Sequence, residues 1–252
     1  MSADQEVYVQ SGDIVKGGQQ DRVLAVDLVV PARSGSLPIA AFCVEQGRWR
    51  QRGGEAAGNF ASSDDRIATR DLKVANASKS QSEVWAKVAE AQDKLSTNAS
   101  VRVNSSVSSS SLQLSLENTK VREMTDNYIR TLSAVIEGKS DVIGYAFAIN
   151  GKVNSADVYG SNALFRKLWP KLLKASAVEA IAELQKGVKP SPVTTEKVKL
   201  FFTEAEKGKT SENAATGRTR MVTRESENNI LIETRDEKQS DAVVHRSYVM
   251  KQ

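Results

Sequence analysis

The chain has 252 residues, of which 40% are hydrophobic and 26% are charged, as is typical of a globular protein with an apolar core. Its formal net charge is +4, but 35 basic residues are interspersed with 31 acidic ones, which argues against nucleic acid as the partner. One cysteine and one histidine exclude an intrachain disulfide and a zinc site built on these residues. The sequence predicts no metal, no cofactor and no membrane span, because no apolar run reaches the roughly 18 residues that a membrane helix needs.

The first residues of the chain contain no recognisable targeting signal. Met1–Glu6 lacks the basic flank and the apolar run of a secretory signal. We therefore expect a cytoplasmic protein, or an exported one if a leader has been removed. The composition leaves the partner open, and both an anionic small molecule and a homo-oligomer are compatible with it.

The N-terminal part, residues 6–75, is predicted to be rich in strands. Gly17-Gly18-Gln19-Gln20 separates the first two β-prone runs, and glycine accepts the positive φ that a tight hairpin turn requires. The Gly-, Ala- and Ser-rich stretch at 51–63 is predicted to be an exposed loop. The β-prone runs are Glu6–Lys16, Asp21–Val30, Leu37–Trp49 and Arg66–Val74.

Apolar residues at helical spacing predict amphipathic helices in the middle of the chain. Ser80 and Glu83 have capping-box spacing before the first of them. Pro170 falls inside the third and predicts a kink or a break, because proline has no amide donor. Ser105–Ser111 contains six serines in seven residues and predicts a flexible loop or a polar strand edge. The predicted helices are 82–95, 119–137, 161–186 and 194–207.

Two groups of strands complete the expected fold. Asn150-Gly151 between Asp141–Asn150 and Lys152–Tyr159 predicts a hairpin. The polar stretch Gly208–Gly217 is predicted to be mobile, and the β-rich tail follows at 218–250. The order of elements predicts a single α+β domain over residues 1–252, with mixed or mainly antiparallel sheets packed by three to four amphipathic helices. The strands of the tail are predicted at Arg218–Arg224, Asn229–Arg235 and Ala242–Met250.

The first candidate site is the segment Phe42–Trp49. In a strand, Glu45 would lie where an apolar neighbour is expected, and Gly47 would allow a bulge that re-aims Arg48 and Trp49. One interpretation is a strand end with an Arg–Glu ion pair and an interior tryptophan. The other is a polar pocket in which Arg48 binds an anion and Trp49 stacks on a ring, which would suit a nucleotide or a phosphate.

The second candidate site is the glycine-rich turn. It lacks the GxxxxGK[ST] spacing of a phosphate-binding loop, so a polar hairpin turn is the simpler interpretation. An enzyme would use Asp21 or Glu45 as the base and Arg22 or Arg48 as the anion clamp. The candidate binding residues from both segments are Gln20, Asp21, Arg22, Glu45, Arg48 and Trp49.

Two weaker hypotheses concern other residues. Cys43 and His245 could form a thiolate–imidazole pair, but a cysteine between Phe42 and Val44 is more typical of an inert core position. Arg48, Arg50 and Arg52 recur at period two, so a continuing strand would place three guanidiniums on one face. That ladder could bind a polyanion, although a solvated edge strand explains it as well.

The same segments resemble a known family. Val7–Asp27 with its Gly17-Gly18-Gln-Gln-Asp21-Arg22 core, Phe42–Trp49, Val142–Tyr159 and Leu164–Leu173 are similar to a bacterial domain family of unknown function, over about Val7 to Val249. The family is named for its association with ADP-ribosylglycohydrolase-like and rhodanese-phosphatase-superfamily proteins. The resemblance implies no established reaction and points to nucleotide, ADP-ribose or phosphate metabolism.

The sequence thus favours a ligand-binding or structural module. The alternatives are a small enzyme that acts on a nucleotide-like or phosphorylated substrate, and a polyanion binder. If the protein has an active site, we expect the segments around Asp21-Arg22 and Glu45–Trp49 to meet there.

Overall fold

The computed structural model describes residues 4–52, 55, 58–214 and 218–251. This part of the chain contains twelve strands and six α-helices, and the strands pair antiparallel in three sheets. The predicted α+β class is therefore confirmed. The predicted number of helices was too low, because short helices occur at Arg70–Ser78 and Leu112–Leu116. None of the helices in the described ranges is long and apolar enough to cross a bilayer.

The N-terminal strands form two small sheets. A four-stranded sheet has the order β5-β3-β2-β6, and β1 pairs with β4 beside it. The run predicted at Glu6–Lys16 is interrupted at Gly12, whose φ is 87°. The run predicted at Leu37–Trp49 contributes only Ala41–Cys43. The strands are β1 Val7–Val9, β2 Asp13–Gly17, β3 Arg22–Leu24, β4 Leu28–Val30, β5 Ala41–Cys43 and β6 Phe60–Arg66.

The predicted strand at Arg66–Val74 was wrong after its first residue. Thr69 is an extended N-cap whose hydroxyl accepts from the Leu72 amide, and the chain turns there into a helix. The buried Glu179 carboxylate also accepts from the Arg70 amide, so a tertiary contact helps to start this helix. The helices are α1 Arg70–Ser78, α2 Gln81–Ala99, α3 Leu112–Leu116, α4 Thr119–Leu132, α5 Asn162–Ala182 and α6 Thr195–Glu206.

Pro170 does not break its helix. α5 runs without interruption from Asn162 to Ala182. A proline in a helix interior costs about 3 kcal/mol, and here the packing on either side of it offsets that cost. Trp169 and Leu172 are both buried, and the Trp169 indole donates to the Ser133 carbonyl at 3.2 Å in the 3₁₀ helix Ser133–Ile136 that follows α4.

The C-terminal sheet has six strands in the order β7-β8-β12-β11-β10-β9. Asn150 and Gly151 have positive φ values of 51° and 78°, which confirms the predicted hairpin between β7 and β8. β9 pairs with β10 in the stretch that was predicted to be mobile, whose residues 215–217 lie outside the described residues. The strands are β7 Gly144–Ile149, β8 Lys152–Tyr159, β9 Lys209–Ala214, β10 Thr219–Glu225, β11 Asn229–Asp236 and β12 Ala242–Met250.

Helices cover both faces of this sheet. α6 packs on one face, where Phe201 and Ala205 contact a cluster that includes Leu231 and Tyr248. On the other face Tyr159 packs with Phe165 and Trp169 of α5. A third and larger core joins α1 and α2 to the four-stranded sheet. The candidate sites lie at the edge of that third core and at its border with the six-stranded sheet.

Candidate functional site

The glycine-rich turn between β2 and β3 shapes the first part of the site. Gly17 has a φ of 121°, and a Cβ there would lie 2.4 Å from the Asn59 carbonyl oxygen, so only glycine fits. The turn brings Asp21 back toward the start of the loop. There its carboxylate accepts from the Gly17 amide at 3.2 Å.

Asp21 is the centre of a buried network of ionised groups. Its carboxylate is fully buried and forms a bidentate pair with Arg52, at 2.8 Å to Nη1 and 3.1 Å to Nη2. The Ser111 hydroxyl donates to the same carboxylate at 3.2 Å. Bidentate Arg–carboxylate pairs fix geometry as well as charge, so Asp21 and Arg52 lock three separate parts of the chain together.

The second predicted segment joins the same network. Glu45 is fully buried, and its Oε2 accepts from the Asp21 amide at 3.0 Å. Its Oε1 lies 2.7 Å from Arg48 Nε, and Arg48 Nη2 lies 3.7 Å from Asp21. The two segments therefore meet, and two buried carboxylates face two guanidiniums. The partly exposed Glu55 carboxylate also accepts from Arg52 Nη2, at 2.7 Å. We call Asp21, Glu45, Arg48 and Arg52 the arginine network.

The environment shifts the pKa values of the two acids, Asp21 and Glu45, in opposite directions. Burial raises the pKa of Asp21, and the contact with Arg52 offsets only part of that rise. Burial alone would also raise the pKa of Glu45, but hydrogen bonds from Arg48, Ser108 and the Asp21 amide lower it overall. Both acids are screened from solvent and already paired, which suits them to hold the arginines rather than to meet a substrate.

A polar cleft opens directly above the network. Its volume is about 740 Å³, and it lies between residues 46–50 and the serine-rich loop at 102–110. The described lining includes Arg48, Arg50 and Arg102, and no described lining residue is acidic. We call it the arginine–serine cleft. Trp49 stands at its edge with 66% of its surface exposed.

The serine-rich segment is a loop without strand pairing, and it is held in place. The Asn104 side-chain amide donates to the Ser109 carbonyl at 2.8 Å, and Gln92 of α2 donates to the same carbonyl at 3.0 Å. The Ser110 hydroxyl donates to the Gln46 carbonyl across the cleft. The loop is thus fixed to both α2 and the Glu45 segment.

Other predicted site residues lie apart from this geometry. Arg22 points away from Asp21, because successive strand residues face opposite sides, and its guanidinium lies 5.9 Å from the centroid of the Phe60 ring. Gln20 is buried, and within the described residues neither polar atom of its side chain has a hydrogen-bond partner. Arg22 therefore belongs to the surface of the four-stranded sheet and not to the cleft.

The arginine ladder that the period-two spacing would allow does not form, and neither does the edge strand that was the alternative. β5 ends at Cys43, and the chain at 48–52 turns back toward Asp21 instead of continuing as a strand. Arg48 and Arg52 are buried in the network, and only Arg50 of the three is exposed. The ion pairs with Asp21 and Glu45 are the physical reason, because they draw two of the three guanidiniums inward.

A second buried cluster was missed by the sequence analysis. His245 of β12 bonds Asp27 through Nδ1 at 2.7 Å and Asp157 of β8 through Nε2 at 3.0 Å. Tyr159 stacks on its ring, with 4.5 Å between the centroids. Both ring nitrogens face carboxylates, so the thiolate–imidazole pair with Cys43, which the sequence disfavoured, does not form. We call Asp27, Asp157 and His245 the histidine cluster.

The histidine cluster holds a charged imidazole. Burial alone would lower the pKa of His245, but the two carboxylates raise it to about 9. Burial alone would likewise raise the pKa values of Asp27 and Asp157, and the contacts with His245 bring both below their ordinary range. Because each ring nitrogen faces a carboxylate, neither is turned toward a substrate as a general base would be.

The surroundings of the cluster leave little room for a substrate. The adjoining cavity, lined by residues such as Arg66, Lys73 and Asn76, has a volume of about 60 Å³. A space of this size holds a few water molecules. No group of three or more His, Cys, Asp or Glu side chains among the described residues has the geometry to hold a metal ion. Sequence signals for the cluster did exist, namely lone acids within the apolar runs Val26-Asp27-Leu28 and Ala156-Asp157-Val158.

Comparison with protein families identifies the class. The model of the ARG and rhodanese-phosphatase-superfamily-associated protein domain matches residues 2–249, which is nearly the whole chain. The chain therefore belongs to that family, as the resemblance of its motifs indicated. The family description names an association and no reaction. Neither the curated proteins nor the solved structures gave a match.

Proposed function

We propose that the protein is a ligand-binding module that holds a small anionic molecule with a flat ring, of the nucleotide-like or phosphorylated class. The observation that carries the proposal is the arginine–serine cleft, in which Arg48, Arg50 and Arg102 come together without an acidic neighbour in the described lining. Its volume of about 740 Å³ falls within the range of small-molecule sites, about 300–1,000 Å³.

The side chains of the cleft match the two halves of such a ligand. Arg50 and Arg102 are exposed and have no carboxylate partner in the described part of the chain. A guanidinium binds a phosphate or carboxylate through two parallel hydrogen bonds, so both are available for an anion. Trp49 offers an exposed indole on which a base or another ring can stack.

The arginine network supports the cleft from below. Arg48 lines the cleft, but its Nε is paired with Glu45 and its Nη1 donates to the Arg50 carbonyl at 2.6 Å. These contacts fix the backbone that carries Trp49 and Arg50. A receptor whose side chains are already in position loses less entropy when the ligand binds.

The same contacts bear on the alternatives. An enzyme with Asp21 or Glu45 as its base requires one of these carboxylates to reach a substrate, and both are fully buried and paired. A purely structural module accounts for the arginine network but gives no role to the open cleft beside it. A polyanion binder has only Arg50 and Arg102 to offer at this surface. The geometry therefore favours a small ligand over all three.

Calorimetric titration with AMP, ADP-ribose, ribose 5-phosphate and inorganic phosphate tests the proposal. We expect at least one of the phosphorylated organic probes to bind, and we expect Arg50→Ala and Arg102→Ala each to weaken it at least tenfold. Trp49→Ala is expected to weaken the nucleotides more than ribose 5-phosphate, because only the former carry a ring that stacks. Arg130→Ala, which removes an exposed arginine of α4 outside the cleft, is the matched control.

Three results would count against this function. Binding that survives both arginine substitutions would place the ligand elsewhere. Silence across all four probes would favour the structural module. Retention on heparin that falls steeply with salt and is lost in the same variants would favour the polyanion binder.

A further inference from the structure

A second surface of the molecule has the features of a peptide-binding groove. An apolar groove of about 430 Å³ runs along β7, with α5 as its floor and α4 and the following 3₁₀ helix as its opposite wall. It is remote in sequence from the arginine–serine cleft. Residues that line it include Leu132, Val135, Ile136, Tyr145, Trp169 and Leu173.

β7 is an edge strand, and its backbone turns toward this groove. The Tyr159 amide donates to the Ile143 carbonyl at 2.8 Å, and Ile149 pairs with Lys152 beside the two-residue turn. In an antiparallel pair the residues alternate between those that bond the partner strand and those that face away. Ala146 and Ala148 therefore direct their N–H and C=O groups away from β8.

Nothing on this edge protects it from strand pairing. Gly144–Ile149 contains no charged residue and no proline, the two usual devices that block an exposed edge. The opposite edge of the same sheet, β9, has the sequence Lys-Thr-Ser-Glu-Asn-Ala and contains one positively and one negatively charged residue. The sheet thus has one charged edge and one edge whose chemistry is that of a pairing surface.

The helices across the groove, α4 and the 3₁₀ helix that follows it, favour an isolated extended segment over a second copy of the chain. A second copy of the chain would bring its own β7 with α4 beside it, so pairing of two β7 strands would have to accommodate two helical walls. An isolated extended segment has no wall and fits between β7 and α4. Its alternate side chains would face the apolar floor, where Tyr145 and Trp169 are already in contact with 5.3 Å between ring centroids.

One charge sets the orientation. Lys139 is the only charged residue in the described lining. Its ammonium group donates to the Val135 carbonyl at 2.9 Å and has no carboxylate partner among the described residues. It belongs to the segment that leads into β7, since Asn162 bonds the carbonyls of both Lys139 and Val142. A peptide that runs antiparallel to β7 ends beside Gly144, so its C-terminal carboxylate would lie at the Lys139 end.

We propose that this groove binds an extended apolar peptide by strand addition to β7, antiparallel and with a carboxylate at the Lys139 end. Backbone hydrogen bonds to Ala146 and Ala148 would supply the pairing, and the apolar floor would select the side chains. The proposal is independent of the ligand proposed for the arginine–serine cleft.

The test uses the full chain and a synthetic library of fluorescein-labelled decapeptides with apolar residues at alternate positions, each made with a free carboxylate and with an amide at its C-terminus. Ala146→Pro removes one outward donor without touching the β7–β8 ladder, since proline is tolerated at an outward edge position. We expect members of the carboxylate library to bind in fluorescence anisotropy and Ala146→Pro to weaken them at least tenfold. Lys139→Gln should reduce the preference for the carboxylate form, and Val188→Ser, at an exposed apolar residue outside the groove, should change nothing.

Ala148→Lys, a charge at the same edge that leaves the ladder intact, guards against misfolding of the proline variant and should also abolish binding. Several outcomes would overturn the proposal. These are no binding by any library member, binding unchanged in both Ala146→Pro and Ala148→Lys, and a dimer in light scattering that both substitutions dissociate. Binding of decanoate that is insensitive to both substitutions and competes with the peptides would show a small-molecule site instead.

Discussion

The arginine network and the histidine cluster are both buried and both charged, yet they neutralise their carboxylates by different means. In the arginine network, two guanidiniums that remain protonated at any ordinary pH face Asp21 and Glu45. In the histidine cluster, a single imidazole faces Asp27 and Asp157. The first should hold its geometry over a wide pH range, whereas the second depends on one proton.

The two regions also differ in what lies next to them. The arginine network supports an open cleft of about 740 Å³, and the histidine cluster adjoins a cavity of about 60 Å³. The network therefore lies beneath the surface at which we propose that a ligand binds. The cluster joins β4, β8 and β12 across the interior, since Asp27 directly precedes β4 and Asp157 and His245 lie on paired strands.

The largest effect is expected from removal of one member of the arginine network. Arg52→Ala leaves the Asp21 carboxylate buried without its bidentate partner, and loss of one partner of a buried ion pair costs about 3–5 kcal/mol. Urea denaturation followed by circular dichroism measures the free energy of unfolding. Arg50→Ala, two residues away and exposed, is the matched control and should change it by less than about 0.5 kcal/mol. Equal losses in the two variants would contradict the network as described.

The histidine cluster should make the free energy of unfolding fall as the pH rises into the alkaline range. The pKa of His245 is raised in the folded state, from 6.5 to about 9, so its contribution is complete below pH 6.5 and is lost as the pH rises through 9. The shift corresponds to about 3 kcal/mol. The carboxylates act at the other end, because their pKa values are lowered from 3.8 and their contribution is lost on acidification.

A direct measurement of this proton is available because the chain has one histidine. The imidazole resonance in a proton NMR titration should move with a midpoint near 9, and no second histidine overlaps it. Denaturation at pH 6 and pH 9.5 in His245→Gln should lack the alkaline loss that the parent protein shows. A midpoint near 6.5 would contradict the charged cluster.

A smaller effect on stability is expected from alanine substitutions at two glycines near the arginine network. Comparing the two variants separates the cost of backbone strain from the cost of steric contact. Gly17→Ala and Gly47→Ala both place a side chain at positive φ, which costs about 1–2 kcal/mol. A Cβ at Gly17 also meets the Asn59 carbonyl at 2.4 Å, whereas a Cβ at Gly47 meets nothing within 4 Å. Thermal unfolding should therefore show Gly17→Ala to be clearly the less stable of the two variants. Equal midpoints would show that the Asn59 segment moves freely.

The contrast between the two regions also explains how far the sequence could predict the site. The Gly17-Gly18 turn and the segment at Phe42–Trp49 carry local signals. The sequence predicted that the two segments would meet if the protein has an active site, and in the structure they are in contact through Asp21 and Glu45. The partner Arg52 was placed on a surface ladder, because period-two spacing cannot show that the chain turns back after Cys43. His245 bonds residues 88 and 218 positions away, and such contacts depend on strand order, which no local periodicity encodes.

In the fold, too, features with local sequence signals were predicted, and features that depend on long-range contacts were not. The Asn150-Gly151 turn and the Ser80 N-cap of α2 are local and were predicted, while the Glu83 carboxylate accepts from the Ser78 hydroxyl. α1 was predicted as a strand, because one of its N-terminal contacts comes from Glu179, 109 residues away. The break at Pro170, one of the two alternatives predicted there, does not occur for a related reason. The tertiary packing of Trp169 and Leu172 outweighs the local preference of Pro170.

The smallest effect on stability is expected from Trp49→Ser. This substitution tests whether the cleft surface contributes to stability as the arginine network beneath it does. Trp49 is 66% exposed, and its indole is absent from the three apolar clusters, so Trp49→Ser should change the free energy of unfolding by less than about 0.5 kcal/mol. Trp85→Ser, in α2 and only partly exposed, is the tryptophan control and should cost more. A Trp49 that contributes to ligand binding and not to stability is the pattern that a receptor surface requires, because a side chain kept only for packing would be buried. A large loss of stability in Trp49→Ser would instead assign the residue to the fold and leave the cleft without its stacking surface.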